Sequence, residues 1–177
     1  NNYVVEVDDP RFGRTRQPGP PMEVANRGVP LAPDQPAPGP RTRPLEGLKI
    51  LDFGNFLAGP LAPMVLGDLG ADVIKVEATS GDPMRAAGWP FNGCQRSKRD
   101  IALQLKDPAA QPVLQRLYRW ADVVHHNQRM PAAERLGLGW EAVHGANPAA
   151  VYCHVSSYGP KGPRRDWPGY DQLFQAS

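Results

Sequence analysis

The chain of 177 residues has few features that would by themselves fix its compartment. It holds only two cysteines, Cys94 and Cys153, which lie far apart and make no metal-binding or redox spacing. They neither require nor exclude a disulfide, and we expect a cytoplasmic protein. The longest apolar run, residues 56–67, is 12 residues long and contains two prolines. It is too short and too broken to span a bilayer, so we expect no membrane partner.

The sequence also lacks a large excess of charge of either sign. Twenty basic residues against 18 acidic residues give a net charge of +2. Proteins that bind nucleic acid normally carry a larger basic excess, so we expect no nucleic acid partner. Basic residues do cluster at 96–99 and at 161–165. Such clusters are either solvated charge or, if their loops lie at the carboxyl edge of a sheet, groups that face phosphates.

Proline, in contrast, is abundant, with 21 residues, of which ten lie in the first 44 positions. Proline interrupts helices and is a poor partner in a sheet. We therefore predict no helix or regular strand over residues 17–43, which form an extended segment on a partner surface or a semi-rigid linker. Residues 3–7 favour a short strand that ends in a turn at 9–13.

Strand and helix patterns alternate from residue 45 onward. The predicted strands are residues 48–53, 72–77, 101–105, 122–126 and 150–156, and the predicted helices are 61–69, 107–120 and one or two within 131–147. This alternation predicts an α/β fold, with an open, mostly parallel, Rossmann-like sheet and helices on both faces. Pro112 conflicts with a helix that starts at Asp107, so a later start with Pro112 in the first turn is the alternative.

The local motifs give weak indications of chemistry. The first turn after a strand, residues 54–60, lacks the G-x-G-x-x-G spacing of a dinucleotide site, and Glu77 is then most simply a solvated strand end. The helix that follows this turn still offers free N–H groups to an anion or a carbonyl oxygen. His125 and His126 are neighbours on a strand and should point to opposite faces, so we expect no metal there. Asp171 is most simply the N-cap of the next helix.

Residues 44–177 resemble a known family. The similarity includes Leu-Ala-Gly-Pro at 57–60, Leu-Gly-Asp-Leu-Gly-Ala-Asp-Val at 66–73, Lys-Arg-Asp-Ile-Ala-Leu at 98–103 and Pro-Gly-Tyr-Asp at 168–171. In this order the motifs are similar to the start of the family III CoA-transferases. This is the CaiB/BaiF family, which includes the formyl-CoA transferases and the α-methylacyl-CoA racemases.

The resemblance implies a domain organisation. Residues 44–177 correspond to the N-terminal, CoA-binding part of the family's large domain. Residues 1–27 are similar to the C-terminal tail of the same family, which makes residues 28–43 a proline-rich linker. We therefore expect a piece of a tandem fusion, assembled as an interlocked homodimer or as a tandem pseudo-dimer.

The resemblance also implies an enzyme that moves coenzyme A from an acyl-CoA to a carboxylate acceptor. In such enzymes an aspartate attacks the thioester to give a mixed anhydride and then an aspartyl-CoA thioester. The resemblance places this nucleophile beyond residue 177 and gives Asp171 a supporting role. Coenzyme A takes part as the acyl-CoA substrate, and no metal is implied.

The resemblance carries over a set of CoA contacts, which are Leu57, Ala58, Leu103, Lys106, Asn127, Arg135 and Tyr170. Leu57 and Ala58 would lie near the thioester, and Leu103 and Lys106 match the stretch that binds adenine and phosphate. Two alternatives stay open. An α-methylacyl-CoA racemase or epimerase would need a base where Tyr170 stands, and a phenol of pKa ~10 is a poor base at neutral pH. The other alternative is a non-catalytic CoA-binding module of a tandem protein.

Overall fold

The structure, a computed structural model, describes residues 4–19, 22, 24–25 and 42–176. Strands β1 (Val4–Asp9) and β2 (Gly13–Pro18) form an antiparallel hairpin. The other strands are β3 (Lys49–Asp52), β4 (Asp72–Glu77), β5 (Lys98–Ala102), β6 (Val123–His126) and β7 (Val151–His154). They form a five-stranded parallel sheet in the order β5-β4-β3-β6-β7. The predicted α/β fold is therefore confirmed.

The helices between these strands are α1 (Ala58–Asp68), α2 (Trp89–Gln95), α3 (Gln111–Trp120), α4 (Met130–Arg135) and α5 (Trp140–Ala146), and α6 (Asp171–Gln175) follows β7. The chain first proceeds outward from β3 to β4 and β5, then returns to the other side of β3 for β6 and β7. Open parallel sheets bind ligands where the strand order reverses, at the carboxyl ends of the strands. The first such position here is the turn that leaves β3. Within the described ranges, no helix has the length and hydropathy needed to cross a membrane.

Alternate residues of the strands pack on opposite faces of the sheet. Ile50 and Val73 form a buried cluster with Leu66 of α1, and we name this side the α1 face. Leu51 lies on the opposite side, in a larger cluster that includes Leu114 of α3, and we name this side the α3 face. Both faces are covered by helices, as expected for a parallel sheet.

Three elements begin at least three residues away from their predicted first residues. β5 begins at Lys98 rather than at residue 101, because the polar residues that precede Ile101 still pair with β4. An edge strand tolerates such charged residues since one side of it is open to water. α1 begins at Ala58 rather than at residue 61, so Pro63 lies beyond the first turn and removes one helical hydrogen bond. α3 begins at Gln111, which confirms the later start.

Two further predictions concern the ends of the chain. The N-cap role of Asp171 is wrong, because Asp171 is the first residue of α6 and Tyr170 occupies the cap position. The expected absence of regular structure over residues 17–43 lies mostly outside the described residues. Within them, Gln17 and Pro18 belong to β2 and pair with β1, so that expectation is wrong at its first two positions.

Candidate functional site

The β3–α1 turn, residues 53–57, lies at the carboxyl edge of the sheet where the strand order reverses. Phe56 has a φ of +63°, a left-handed conformation that is uncommon for a residue with a side chain. α1 begins directly after this turn, so the first amides of the helix have no carbonyl partner in a preceding turn. A helix N-terminus of this kind attracts anions and polarised carbonyl oxygens.

Asn127, the first residue after β6, holds this turn from the neighbouring strand. Its Oδ1 accepts a hydrogen bond from Asn55 N at 2.9 Å, and its Nδ2 donates one to Asn55 O at 2.9 Å. One side-chain amide thus satisfies both backbone groups of one turn residue. A Cβ on Gly59 would lie 2.5 Å from the Asn127 amide carbon, so a side chain at that position would displace the amide.

Two buried charged side chains hold the backbone N–H and C=O groups of the preceding turn residue, Gly54. Asp52 Oδ1 accepts a hydrogen bond from Gly54 N at 2.7 Å, and Lys75 Nζ donates one to Gly54 O at 2.7 Å. The Lys75 side chain is 2% exposed and the Asp52 side chain is fully buried. The backbone of residues 54 and 55 is therefore held by the charged groups of Asp52 and Lys75 and by the side-chain amide of Asn127, directly after β6.

Each of these buried charges has a partner of opposite sign. Lys98 Nζ lies 2.8 Å from Asp52 Oδ2 and also donates a hydrogen bond to Pro60 O at 2.8 Å, in the first turn of α1. Lys75 Nζ lies 2.9 Å from Asp82 Oδ2. Because burying an unpaired charge is costly, this pairing is what allows four ionisable groups to lie under the turn.

The chain of ion pairs continues to the protein surface. Asp82 N donates a hydrogen bond to Glu77 Oε2 at 2.7 Å, and Glu77 forms an ion pair with Arg85, whose side chain is half-exposed. The Arg85 guanidinium also lies over the Phe91 ring, 4.6 Å from its centroid. We name this set the buried charge network; its members are Asp52, Lys75, Glu77, Asp82, Lys98 and Arg85.

Burial and pairing act in opposite directions on the pKa values of the network. Burial would raise the pKa of Asp52, but the hydrogen bond from His125 and the charge of Lys98 hold that pKa below its usual range. Burial likewise opposes ionisation of Glu77, and its hydrogen bonds from Arg85 and a backbone amide keep its pKa lowered. Burial lowers the pKa of Lys98, and the Asp52 carboxylate offsets this only in part. The two carboxylates are therefore ionised at neutral pH.

The Pro-Gly-Tyr-Asp motif approaches the same turn from the far end of the chain. The ring centroids of Tyr170 and Phe56 lie 5.7 Å apart in an edge-to-face arrangement. Tyr170 and Leu57 are both about half-exposed, so the site presents apolar surface to solvent. Asp171 is exposed, and its Oδ2 accepts a hydrogen bond from Gln175 at 2.6 Å. The structure thus brings together five of the predicted site residues, which are Leu57, Ala58, Asn127, Tyr170 and Asp171.

The other three predicted CoA contacts lie elsewhere. Leu103 is partly buried against the apolar core, and its amide donates a hydrogen bond to Glu77 O at 2.9 Å. Lys106 is exposed in the loop after β5, at the outer edge of the sheet. Arg135 is the exposed last residue of α4. Within the described residues, no recorded contact joins these three to the β3–α1 turn, and their role in CoA binding stays a prediction.

A cavity of about 250 Å³ opens at the same edge of the sheet, next to β7. His154 at the end of β7, Met130 and Glu134 of α4, and Arg165 of the following loop are among the residues that line it. None of the predicted CoA contacts lines this cavity. The cavity and the β3–α1 turn are therefore separate features of the carboxyl edge.

The sequence analysis did not find the buried charge network. Its interpretation of Glu77 as a solvated strand end is wrong, because Glu77 is 4% exposed and pairs with Arg85. A signal was present in the strands themselves, where Asp52 and Lys75 interrupt apolar segments that are buried on both faces. Since a charge in such a strand needs a partner, each of them indicated an ion pair.

The basic cluster at 96–99 does not behave as one unit. Arg96 is exposed and pairs with Asp68, whereas the Lys98 side chain is 2% exposed and belongs to the network. The cluster at 161–165 is exposed throughout. Arg96 precedes β5, at the end of α2, whereas Lys98 is the first residue of β5, pairs in register with Val73 and reaches Asp52 on the α1 face.

The two adjacent histidines of β6 face opposite sides, as predicted. His125 Nδ1 lies 3.0 Å from Asp52 Oδ1 on the α1 face. His126 Nε2 lies 2.6 Å from the Tyr152 hydroxyl oxygen on the α3 face, and its ring stacks on that of His154 at 4.6 Å. Burial lowers the pKa of His126 to about 3. In the part of the chain that the structure describes, no three potential ligands lie close enough to hold a metal.

Proteins of known family share this fold and this arrangement of motifs. Residues 45–177 match the family model described as CoA-transferase family III, and the chain belongs to that family. The particular relatives include the succinyl-CoA–D-citramalate CoA-transferase of Chloroflexus aurantiacus, which is 39% identical over 145 residues. The succinyl-CoA:glutarate CoA-transferase of Homo sapiens is 41% identical over 143 residues. Each alignment covers 76% of this chain but only 36% and 33% of those two proteins.

Solved structures agree with this assignment. The crystal structure of Rv3272 from M. tuberculosis matches with a TM-score of 0.72 and 39% identity, over 76% of this chain and 38% of that one. A CAIB/BAIF family protein from Brucella suis matches with a TM-score of 0.72 and 35% identity, over 77% and 39% of the two chains. The chain thus spans little more than a third of the proteins it matches.

Proposed function

We propose that the complete polypeptide transfers coenzyme A from an acyl-CoA to a carboxylate acceptor, and that the described part holds the acyl-CoA. The observation that carries this proposal is the β3–α1 turn. It lies where open parallel sheets bind ligands, its backbone is held by Asn127 and by buried charges, and it ends in a helix N-terminus. Two relatives are named for succinyl-CoA and a dicarboxylate acceptor, and we propose an acceptor of that class.

The proposed chemistry begins at the thioester. An enzyme carboxylate attacks the thioester carbonyl, the C–S bond breaks, and CoA leaves as a thiolate while a mixed anhydride forms. The thiolate then attacks the enzyme's acyl carbon, which releases the first carboxylate and leaves an enzyme-bound CoA thioester. The acceptor carboxylate attacks that thioester and receives CoA through the same two steps in reverse. We place the nucleophilic aspartate beyond residue 177.

The described residues would contribute binding and charge stabilisation. The amides at the start of α1, next to Leu57 and Ala58, can donate hydrogen bonds to the oxyanion that develops on the thioester carbonyl. Asp171 would stand beside the reacting group in a supporting role. We propose that Leu103 contacts the adenine, that Lys106 meets a phosphate as a point charge, and that Arg135 lies at the rim of the site.

The organisation of the chain around this part is also a proposal. We propose that residues 1–27 are the tail of a preceding module and residues 28–43 a linker. The start of the family match at residue 45 supports this division. A tandem chain of this kind would form an interlocked homodimer or a pseudo-dimer of its two modules, and we propose a cytoplasmic location.

The test uses the complete polypeptide, incubated with succinyl-CoA and glutarate, with the thioesters separated by chromatography. We expect the formation of a new thioester well above a buffer blank. Asp171→Ala should lower turnover by a larger factor than it weakens CoA binding, because its proposed partner is the reacting thioester. Absence of transfer with every dicarboxylate offered would contradict the proposal.

CoA binding is tested separately by calorimetry. Lys106→Ala and Arg135→Ala should each weaken the binding of CoA by ~1–3 kcal/mol, the range for a hydrogen bond that involves a charged group. Arg96→Ala is the matched control, since Arg96 is an exposed cation already paired with Asp68. Parental affinity in both test variants would show that the transferred CoA contacts are wrong.

A further inference from the structure

The buried charge network ends on three backbone atoms that bracket the β3–α1 turn. Asp52 accepts from Gly54 N, Lys75 donates to Gly54 O, and Lys98 donates to Pro60 O. The first two atoms precede the turn's exposed residues, and the third follows them in the first turn of α1. The position of the exposed segment is therefore set from both ends by side chains that are at most 2% exposed.

The network is fully engaged, so it has little freedom to shift. Lys98 Nζ uses its three donors on Asp52 Oδ2 at 2.8 Å, Pro60 O at 2.8 Å and Gln95 Oε1 at 3.0 Å. Asp52 accepts hydrogen bonds from Gly54 N and from Lys98, and its Oδ1 also lies 3.0 Å from His125 Nδ1. A buried polar network in which each member has its partners specifies one arrangement of the groups it contacts.

Core packing does not require charged residues at positions 52, 75 and 98. The amino-terminal half of the same sheet face is filled by apolar residues such as Ile50 and Val73, and the α3 face is apolar along most of its strands. Buried ion pairs can often be replaced by apolar residues of similar volume without loss of stability. Lys98 lies in register with Val73, yet its ammonium group, like that of Lys75, is directed to the β3–α1 turn and the start of α1. This convergence of the charged groups indicates a role at that turn.

We propose that Lys75 and Lys98 are positioning residues for CoA transfer, because their ammonium groups fix the β3–α1 turn so that the first amides of α1 face the acyl-CoA thioester. This inference rests on the proposed function of the turn. Neither lysine touches the substrate, since each side chain is only 2% exposed. Each acts through a backbone carbonyl, to which an ammonium group makes a short, charge-assisted hydrogen bond.

The two lysines differ in how their own positions are fixed. Lys98 lies on β5 and reaches across β4 to Asp52 at the end of β3. Lys75 is held by Asp82, whose backbone is held in turn by Glu77 and, through it, by Arg85. Lys75 can therefore be neutralised together with Asp82 alone, which makes this pair the better one to test.

The experiment compares Lys75→Met with the double variant Lys75→Met/Asp82→Asn in the complete polypeptide. The single variant leaves Asp82 as an unpaired buried charge and is expected to lose stability as well as activity. The double variant removes both charges and should regain most of the stability, while Gly54 O still lacks its ammonium donor. If the lysine acts by positioning, kcat of the double variant stays ~10–100-fold below the parent with KM for acyl-CoA changed less than ~3-fold, since a small misplacement of the reacting groups has this effect.

The matched control is Arg99→Met/Asp72→Asn, which removes another ion pair of β4, formed with β5 on the α3 face and away from the turn. We expect it to keep the parental kcat. If Lys75→Met/Asp82→Asn also shows parental kcat once its stability is restored, the two groups are merely structural and the inference is overturned.

A second measurement separates this inference from the proposed function. Amide hydrogen exchange reports the β3–α1 turn directly, and it does not depend on turnover. We expect the Asn55 amide, whose partner Asn127 is unchanged, to exchange faster in the double variant than in the parent and in the control. If the parent transfers no CoA, the proposed function fails. The exchange result still decides the positioning effect: faster exchange at Asn55 in the double variant than in the parent would support it. Equal exchange in the two proteins would overturn it.

Discussion

The two faces of the sheet differ most at the carboxyl ends of the strands. On the α3 face, Leu51 and Val124 continue into an apolar core, and the polar group His126 at the end of β6 is neutral at neutral pH. On the α1 face, Ile50 is followed along β3 by Asp52, and Val73 is followed along β4 by Lys75 and Glu77. The α1 face thus changes from apolar to charged within a single strand.

This difference separates two tasks within one small sheet. The apolar contacts of the α3 face are non-directional and contribute stability in proportion to the area removed from water. The ion pairs of the α1 face contribute little net stability, because the cost of desolvation cancels much of the attraction. They do fix directions and distances, and the atoms that they fix belong to the turn at the candidate site.

The largest expected effect breaks the charged face. Asp52→Asn would leave Lys98 without a counter-charge in a buried position, and we expect it to lower the free energy of unfolding by ~3–5 kcal/mol. The double variant Asp52→Asn/Lys98→Met should recover most of that loss. Urea unfolding of the parent and both variants measures these differences.

The apolar face supplies the contrast. Leu114 is fully buried, and Leu114→Ala should cost ~2–5 kcal/mol through lost contacts and a cavity, so its effect is of similar size. A second substitution that removes a neighbouring side chain should not restore the lost stability, because the loss comes from a cavity and not from an unpaired charge. If Asp52→Asn/Lys98→Met is no more stable than Asp52→Asn, the loss on the α1 face does not come from an unpaired charge. The two faces would then not differ in the cause of their stability.

The sequence was sufficient for the fold because local signals agreed with one another. Strands and helices alternate with turn residues between them, and the chain order of the five strands follows from that pattern. β5 was misplaced because its first residues, Lys98 to Asp100, are charged, and they pair through the backbone at a sheet edge. Hydrophobic pattern does not report such backbone pairing.

The candidate site could be predicted only in part. Motif similarity predicted CoA contacts at Leu57, Ala58, Asn127 and Tyr170, and the structure places these residues around one turn, while their role in CoA binding stays a prediction. The partner of Lys75 is 7 residues away in sequence, whereas the partner of Lys98 is 46 residues away. Each pair joins two different structural elements, Lys75 to the segment after its own strand and Lys98 to a strand two positions away in the sheet. Periodicity within one element does not report such pairs, so the ion pairs are apparent only in the folded structure.

A smaller effect concerns the neutral histidine of the α3 face. Burial lowers the pKa of His126 to about 3, so between that value and the ordinary histidine pKa of 6.5 only the unfolded state binds the proton. The free energy of unfolding must then fall as pH falls through this window, by about 2 kcal/mol between pH 7 and pH 5. His126→Phe should remove this part of the pH dependence, as measured by urea unfolding at the two pH values.

The control for this measurement is Val124→Ala, a neighbouring substitution in β6 that lowers stability but removes no titrating group. It should retain the parental pH dependence. Asp52 and Glu77 do not interfere, because their pKa values are lowered from 3.8 and 4.5 and both titrate below this range. Burial and the nearby Glu77 raise the pKa of Asp100, but Asp100 is present in the parent and in both variants, so its contribution cancels in the comparison. An unaltered slope in His126→Phe would mean that another group is responsible.

The smallest expected effect removes a neutral hydrogen bond from the α3 face. The fully buried Tyr118 donates its hydroxyl proton to Gly137 O at 2.7 Å, and burial raises the pKa of this phenol, so it stays uncharged. Tyr118→Phe loses one such bond and keeps the ring in the core, and we expect a loss of ~0.5–1.5 kcal/mol in urea unfolding. The loss should be the same at pH 5 and at pH 8, because neither partner titrates in that interval. A loss as large as that of Asp52→Asn would show that polar groups on the α3 face matter as much as the ion pairs of the α1 face, and the contrast between the two faces would be wrong.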